Sequence, residues 1–443
     1  MNFLLSFSGI ISKIIPILIA VLFFGLIIFI HEFGHFIFAK LFGVKVNEFA
    51  MGMGPTLFKK QGKETKYAIR LFPIGGFVSM EGEEEESADS RAFCNMAVWK
   101  RMIIIAAGAT FNLIMGLITC IILVAAPWEK PAEGEVPLIA TNEILQFYEG
   151  AVSNSEGGLK AGDKIVKIDG KRVYSDYDIS FLMQRNQSGK YDFTVIREGE
   201  KLSLTDVPFA KRTGGNFSYD VECVISSVSG KLKDQGLGDG DKIVGVNGIE
   251  IKNNEELMAE INGDEDYIYD FTVIRGEEKL TFEKVKMNTV TVFDFVILGE
   301  EKSFGNVLTT AGGYFVSLGR MVYLSLFDLL RGQYGMNDLA GPVGTVTVIA
   351  DVAEESVATA DWTQMFMLMA MIAINIGLFN LLPVPALDGG HLFFMIPELI
   401  IRKKIPQKYE SYIHAAGLII LFGFMAIISA SDIWKLISGR GFY

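Results

Sequence analysis

Residues 14–30, IIPILIAVLFFGLIIFI, carry no charge and run without a break into His31-Glu32-Phe33-Gly34-His35. Similar uncharged runs occupy 102–126, 365–382 and 413–430, the last containing His414 near its start. Each approaches or exceeds the length taken as a membrane-span candidate, about 18 apolar residues. Lipid offers backbone N–H and C=O groups no partner, so such runs must be helices. The predicted fold is an α-helical polytopic membrane protein with four transmembrane helices. Only Lys13 precedes the first run and no small-residue cleavage site follows it, so it reads as a retained span rather than a signal peptide. A glutamate at that depth costs about 3 kcal/mol on insertion scales, and a function is expected to offset it.

The net charge of −12 comes with no basic stripe, which excludes nucleic acid as a partner class. Cys94, Cys120 and Cys223 fall in a polar loop, a span and a soluble region, so neither an internal disulfide nor a cysteine metal site is expected.

More than 230 mostly polar residues separate the second and third runs, and they hold an internal repeat. GLKAGDKIVKIDG (158–170) matches GLGDGDKIVGVNG (236–248), and YDFTVIR (191–197) recurs at 269–275, both at an offset of 78 residues. Each copy reads as a Gly-Asp turn, a KIV strand, an Asx-Gly hairpin turn, a helical stretch and a second strand. These residues resemble PDZ domains of the bacterial protease-associated type, which implies two extracytoplasmic α/β domains. Peptide binding by addition to a sheet edge is the expected mode there.

The predicted organisation places the first two spans, with HEFGH and a membrane-associated β-hairpin at about 64–82, in residues 1–127. PDZ-like domains follow at 128–210 and 211–290, then an extracytoplasmic linker at 291–364. The last two spans and the LDGG stretch fill 365–443. Residues 306–330 are apolar but contain Arg320 and Asp328, and are read as an amphipathic helix at the outer surface. Lysines and arginines concentrate in 45–101 and 402–408, which puts these loops in the cytoplasm and the termini and repeat outside.

HEFGH is an HExxH motif. On a helix, residues i and i+4 share a face, so His31 and His35 can bind one Zn²⁺ while Glu32 takes a proton from water. A catalytic zinc needs a third protein ligand. The candidate region is NLLPVPALDGGH (380–391), where two prolines break the helix and Asp388 is the one carboxylate. Spans one and three run in the same direction in a four-span topology, which brings Asp388 to the level of the histidines. His391 is a weaker rival ligand.

With these residues the chain resembles the site-2 protease family of intramembrane zinc metalloproteases, in the bacterial branch with tandem PDZ domains. HEFGH, FPIGGFVSMEGE, GATFN, the paired repeats, GPVG and NLLPVPALDGGH carry the likeness nearly end to end. It implies one catalytic Zn²⁺ held by His31, His35 and Asp388, with Glu32 as general base and Asn380 near the active site on the substrate carbonyl. GATFN departs from the commoner Gly-Pro form at Ala109-Thr110. The implied substrates are single-pass membrane proteins, an anti-sigma factor or a remnant signal peptide, with the substrate ectodomain or a peptide at the PDZ pair. KYAIRLFPIGGFVSM (66–80) reads as a hairpin about its Pro-Ile-Gly-Gly turn, and an unwound substrate strand would pair along Gly75, Gly76, Phe77 and Val78. A zinc carrier or a non-catalytic PDZ scaffold are the rival functions; neither needs Glu32 between two ligands.

Overall fold

Without water to receive their backbone groups, the apolar runs fold into long helices. The computed structural model describes residues 2–83, 85–126, 138–186, 188–214, 217–228, 231–262, 266–332, 341–401 and 407–437. These fall into two compact units, one from the segments up to 137 and from 302 to 434, the other from 138 to 301 with the last residues from 435.

In the first unit α1 (Asn2–Leu41) carries HEFGH, and α2 (Val98–Ala125) packs along it. After the second unit the chain returns as α6 (Phe304–Leu330), α7 (Pro342–Thr359), α8 (Thr363–Asn380), α9 (Asp388–Ile401) and α10 (Gln407–Ile437). Among the described residues five segments are long and apolar enough to cross a membrane: Ile15–Leu41, Val98–Ala125, Phe304–Leu330, Thr363–Asn380 and Lys408–Trp434. Four were expected, and the difference is α6. Its Arg320 and Asp328 dilute the hydropathy, yet Ser317 and Asp328 are buried and the helix packs on α2 and α8.

Beside α1 lies a sheet of two long, bulged strands, β1 (Val46–Gln61) and β2 (Lys66–Met80). Residues 48–51 pair with 76–79 on one side and with 66–69 on the other, while 56–61 pair with 66–70. The order across the sheet is therefore 76–80, 46–51, 66–72, 56–61. This corrects the predicted hairpin: the two arms flanking Pro-Ile-Gly-Gly do not pair with each other, because 46–51 is inserted between them. Val46-Asn47-Glu48-Phe49-Ala50-Met51 does not alternate polar and apolar, which hides the strand from a period-2 reading, and Gly52 follows it. This glycine bends the chain at φ +82°, where a Cβ would lie 2.5 Å from the Phe72 carbonyl oxygen. Phe29 and Phe36 of α1 pack edge-on or tilted against Phe49, and Phe36 also against Tyr67, which seats the sheet on the helix. The far end stays apolar and exposed at Met53, Leu57, Phe58 and Phe72, a surface suited to lipid.

Polar ties fix the sheet and α9 in place. Glu64 accepts from Lys40 and Arg91, both at 2.6 Å. Arg91 and then Lys40 hold its carboxyl down to about 2. A depressed carboxylate stabilises the fold above its unfolded pKa, about 4.3, and loses that contribution as pH falls toward 2. This tie is thus constant across neutral pH. Arg101 of α2 pairs with Glu398 of α9 at 2.5 Å, and both side chains are about nine-tenths buried. Glu398→Ala is expected to cost about 3–5 kcal/mol by leaving Arg101 buried without its partner. Chemical denaturation of wild type and variant in detergent checks this.

The second unit realises the repeat twice. The first sheet runs β16 (Phe295–Glu301), β3 (Leu138–Phe147), β4 (Lys164–Ile168), β6 (Lys190–Arg197), β7 (Glu200–Pro208), with β5 (Lys171–Arg172) beside β4. Its core gathers Ile165, Leu182, Phe193 and Phe295, and α3 (Asp176–Arg185) packs over it. The second sheet runs β12 (Ile249–Glu250), β11 (Lys242–Val246), β13 (Ile268–Arg275), β14 (Glu278–Lys286). Short α4 (Lys231–Asp234) and α5 (Asn254–Glu260), and the pairs β9 (Phe217–Tyr219) with β10 (Ile225–Val228) and β8 (Lys211–Thr213) with β15 (Thr289–Thr291), complete it. The Asx-Gly turns form as expected, with Asp169 at φ 47° and Asn247 at φ 51°.

The repeat also duplicates an ion pair. Arg197 Nε and Nη2 grip Asp163 at 2.7 and 2.8 Å while Nη2 reaches the Gly158 carbonyl. Arg275 does the same to Asp241 and Gly236. Both aspartates are wholly buried. Asp163→Ala is expected to destabilise this unit by about 3–5 kcal/mol, read as a lower unfolding midpoint with zinc content unchanged.

Candidate active site

His31 and His35 lie one turn apart on α1, facing α2 and the first residue of α9, with Glu32 next to His31. The close approach is made of backbone. A Cβ on Gly34 would stand 2.6 Å from the Ala107 carbonyl oxygen, and one on Gly108 would stand 2.3 Å from His35 Nε2 and 2.9 Å from His31 Cε1. Only glycine at both positions lets the helices meet at this depth.

The chain then breaks after α8, and the turn 381–387 delivers Asp388. Gly389 is the close-approach residue there, since a Cβ would sit 2.2 Å from the Leu382 carbonyl oxygen. Asp388 Oδ2 lies 3.2 Å from His31 Nε2 and 3.4 Å from His35 Nε2, and the two nitrogens are 3.2 Å apart. Both rings are oriented by their other nitrogen. His35 Nδ1 donates to the Ile104 carbonyl at 2.8 Å, leaving Nε2 free as a ligand. His31 Nδ1 faces the Asn112 amide at 3.3 Å, whose Oδ1 is otherwise buried without a partner. With Oδ1 turned to the ring it accepts the Nδ1 proton, and His31 Nε2 is free too.

This donor set fits zinc. Asp388 Oδ2 is buried and accepts no hydrogen bond although two imidazole nitrogens crowd it. The three atoms belong to a group lying within 4.8 Å of one another. Two imidazole nitrogens and one carboxylate oxygen converging in this way are the donor types of a catalytic zinc site.

Glu32 sits next to this cluster, and its carboxyl takes a hydrogen bond from the Val78 backbone. Gly76 passes so near that a Cβ would be 3.0 Å from Glu32 Cγ. Of the predicted sheet residues, Gly76 and Val78 therefore border the site. Gly75 is at φ +80° beside Met53, and Phe77 lies under the Arg70 guanidinium at 4.8 Å. Asn380 ends α8, half-buried, and among the described residues makes no hydrogen bond to His31, Glu32, His35 or Asp388. His391 turns away from the site: its Nδ1 meets Glu410 at 2.9 Å and its ring stacks on His414. Gly108, Asn112 and the Ile104 carbonyl escaped the sequence reading as site groups. A buried amide in an otherwise apolar span was the available signal for Asn112.

Among known proteins, the profile of Peptidase family M50 matches residues 19–424. The chain belongs to this family, the site-2 proteases. It is a zinc metalloprotease and a multi-pass membrane protein. A Fusobacterium nucleatum relative named as a zinc metalloprotease is 31% identical over 422 residues, covering 95% of this chain and 98% of its own length. A Clostridium acetobutylicum relative of the same description is 32% identical over 418 residues, 94% and 97% of the two chains. The Bacillus subtilis regulator of sigma-W protease RasP is 26% identical over 455 residues, again 94% and 97%. In this M50 peptidase, then, the zinc chemistry belongs to the family, and the cluster at α1, α2 and α9 is its candidate seat.

Proposed function

We propose that the peptidase cuts a peptide bond within the transmembrane segment of a pre-trimmed single-pass membrane protein. The observation that carries this is a carboxylate, Glu32, set between the His31–His35–Asp388 cluster and the sheet segment 76–80 on an apolar helix. His31, His35 and Asp388 would hold one zinc ion, and that ion would supply Lewis-acid polarisation of water and of a peptide carbonyl.

A substrate helix hides its peptide bonds in its own hydrogen bonds, so it must unwind. Residues 75–78 form the outer strand of their sheet and offer an unwound segment a pairing partner beside Glu32. Glu32 accepts the proton of the attacking water and later returns it to the leaving amine. Asn380 supports the carbonyl oxygen. The two repeat domains, PDZ-like by their turn and strand motifs, exclude substrates that still carry a bulky outer domain. In the bacterial cytoplasmic membrane four of the five apolar segments span, with α6 as an amphipathic helix at the outer surface, the repeats outside and the site toward the cytoplasm. The relative named regulator of sigma-W protease favours an anti-sigma factor as substrate, with a remnant signal peptide as the other single-helix candidate.

Purified enzyme in liposomes with a tagged single-span substrate tests the reading. Chelation is expected to abolish cleavage and stoichiometric zinc to restore it. Persistent cleavage by zinc-free enzyme would overturn it.

A further inference from the structure

α10 stands directly behind the turn that delivers Asp388. In 381–387 every amide but one is satisfied locally: Leu381 by Leu378, Leu382 by Phe379, Val384 by Leu382 and Leu387 by Val384. Pro383 and Pro385 have no N–H to place. The remaining amide, Ala386, donates to His414 Nδ1 at 3.1 Å, 28 residues downstream on α10. Ala386 also sits at φ +78°, the left-handed region that an L-residue enters only at a cost of about 1–2 kcal/mol. A conformation of that kind persists where its surroundings over-determine it.

The surroundings do so here. A Cβ on Gly417, three residues after His414, would lie 2.5 Å from Pro385 Cβ, so α10 presses on the turn by backbone. A Cβ on Gly390 would lie 3.0 Å from His414 Cε1. The His414 ring is held in plane by His391, stacked at 3.7 Å and 13°, which Glu410 anchors in turn. Phe394 closes another side at 5.7 Å.

His391, Glu410 and His414 also bring their donor atoms within 4.8 Å, which invites a second metal. The hydrogen bonding opposes it. His414 Nδ1 accepts from Ala386, so the neutral ring carries its proton on Nε2 and has no lone pair left for an ion. Stacked rings also aim their nitrogens in parallel rather than at one point.

We propose that His414 is a positioning residue for the zinc site, fixing the Ala386 amide so that the 381–387 turn holds Asp388 against His31 and His35. This rests on the reading of Asp388 as the third zinc ligand.

Zinc affinity of the full-length apo-enzyme, measured by competition with a chromophoric chelator, tests it. His414→Ala and His414→Leu are expected to weaken zinc binding by about 10–100-fold. His414→Asn, whose Oδ1 can stand where Nδ1 stands, is expected to recover affinity to within about threefold of wild type, as an outer-shell partner should. His414→Ala added to Asp388→Ala is expected to cost nothing further, because the histidine acts only through the aspartate. Wild-type affinity in His414→Ala, no rescue by Asn, or a full additional loss in the double variant would each overturn the proposal. If Asp388→Ala alone binds zinc like wild type, the ligand reading fails instead, and this proposal fails with it.

Discussion

Glu32→Gln is expected to lower cleavage of a single-span substrate by about 10²–10⁴-fold while the enzyme keeps one zinc per chain. Glutamine preserves the shape of the side chain and an oxygen that can accept from Val78, so the fit against Gly76 survives. It cannot accept a proton from water. His31, His35 and Asp388 are untouched, and their orienting partners Asn112 and Ile104 lie on α2, away from the substitution. Zinc content by elemental analysis and cleavage in liposomes are read on the same preparation. Cleavage within tenfold of wild type would remove Glu32 from the role of base. Loss of zinc would make it a ligand or a structural residue instead.

Gly108→Ala is expected to weaken zinc binding at least as much as loss of an orienting partner, about 10–100-fold, and to reduce cleavage accordingly. By helix propensity alone this change should stabilise α2 by about 1 kcal/mol. The space forbids it. The added methyl would lie 2.3 Å from His35 Nε2, 2.6 Å from His35 Cε1 and 2.9 Å from His31 Cε1. His35 cannot retreat easily, because its Nδ1 is bonded to Ile104 one turn earlier on the same helix. The imidazoles must swing out of line with Asp388, or α2 must withdraw from α1. Zinc titration together with thermal unfolding separates the two: a wild-type midpoint with weakened zinc binding places the damage at the ligands. Unchanged zinc affinity would show that the pocket relaxes, contrary to its backbone construction.

Much of this site is legible in the sequence, because metal ligation and proton transfer need particular residue types at particular spacings. HEFGH and LDGG announce themselves by being polar inside apolar runs. The repeat was legible for a similar reason: its Asx-Gly turns need φ above zero, and few residue pairs supply it. What stayed hidden was set by three-dimensional neighbours. Asn112 and the Ile104 carbonyl matter only because α2 lies across α1, and Gly108 looks like any small residue until His35 is placed beside it. The sheet order could not be read from 66–80, since the strand between its two arms comes from 46–51, whose residues do not alternate polar and apolar. The helix at 304–330 reads as surface-bound because Arg320 and Asp328 dilute its hydropathy; that Asp328 is buried and that the helix packs on α2 and α8 depends on neighbours far away in sequence.

The contact between α1 and α2 at Gly34 and Gly108 has a mechanical consequence. Side-chain contacts between helices act as cushions, since rotamers can absorb a change in tilt. Here the chain at Gly34 rests on the Ala107 carbonyl, and the imidazoles rest on the bare backbone at Gly108. A change in the crossing angle of α1 and α2 is therefore met at the imidazoles themselves, with no side chain between the helices there to absorb it.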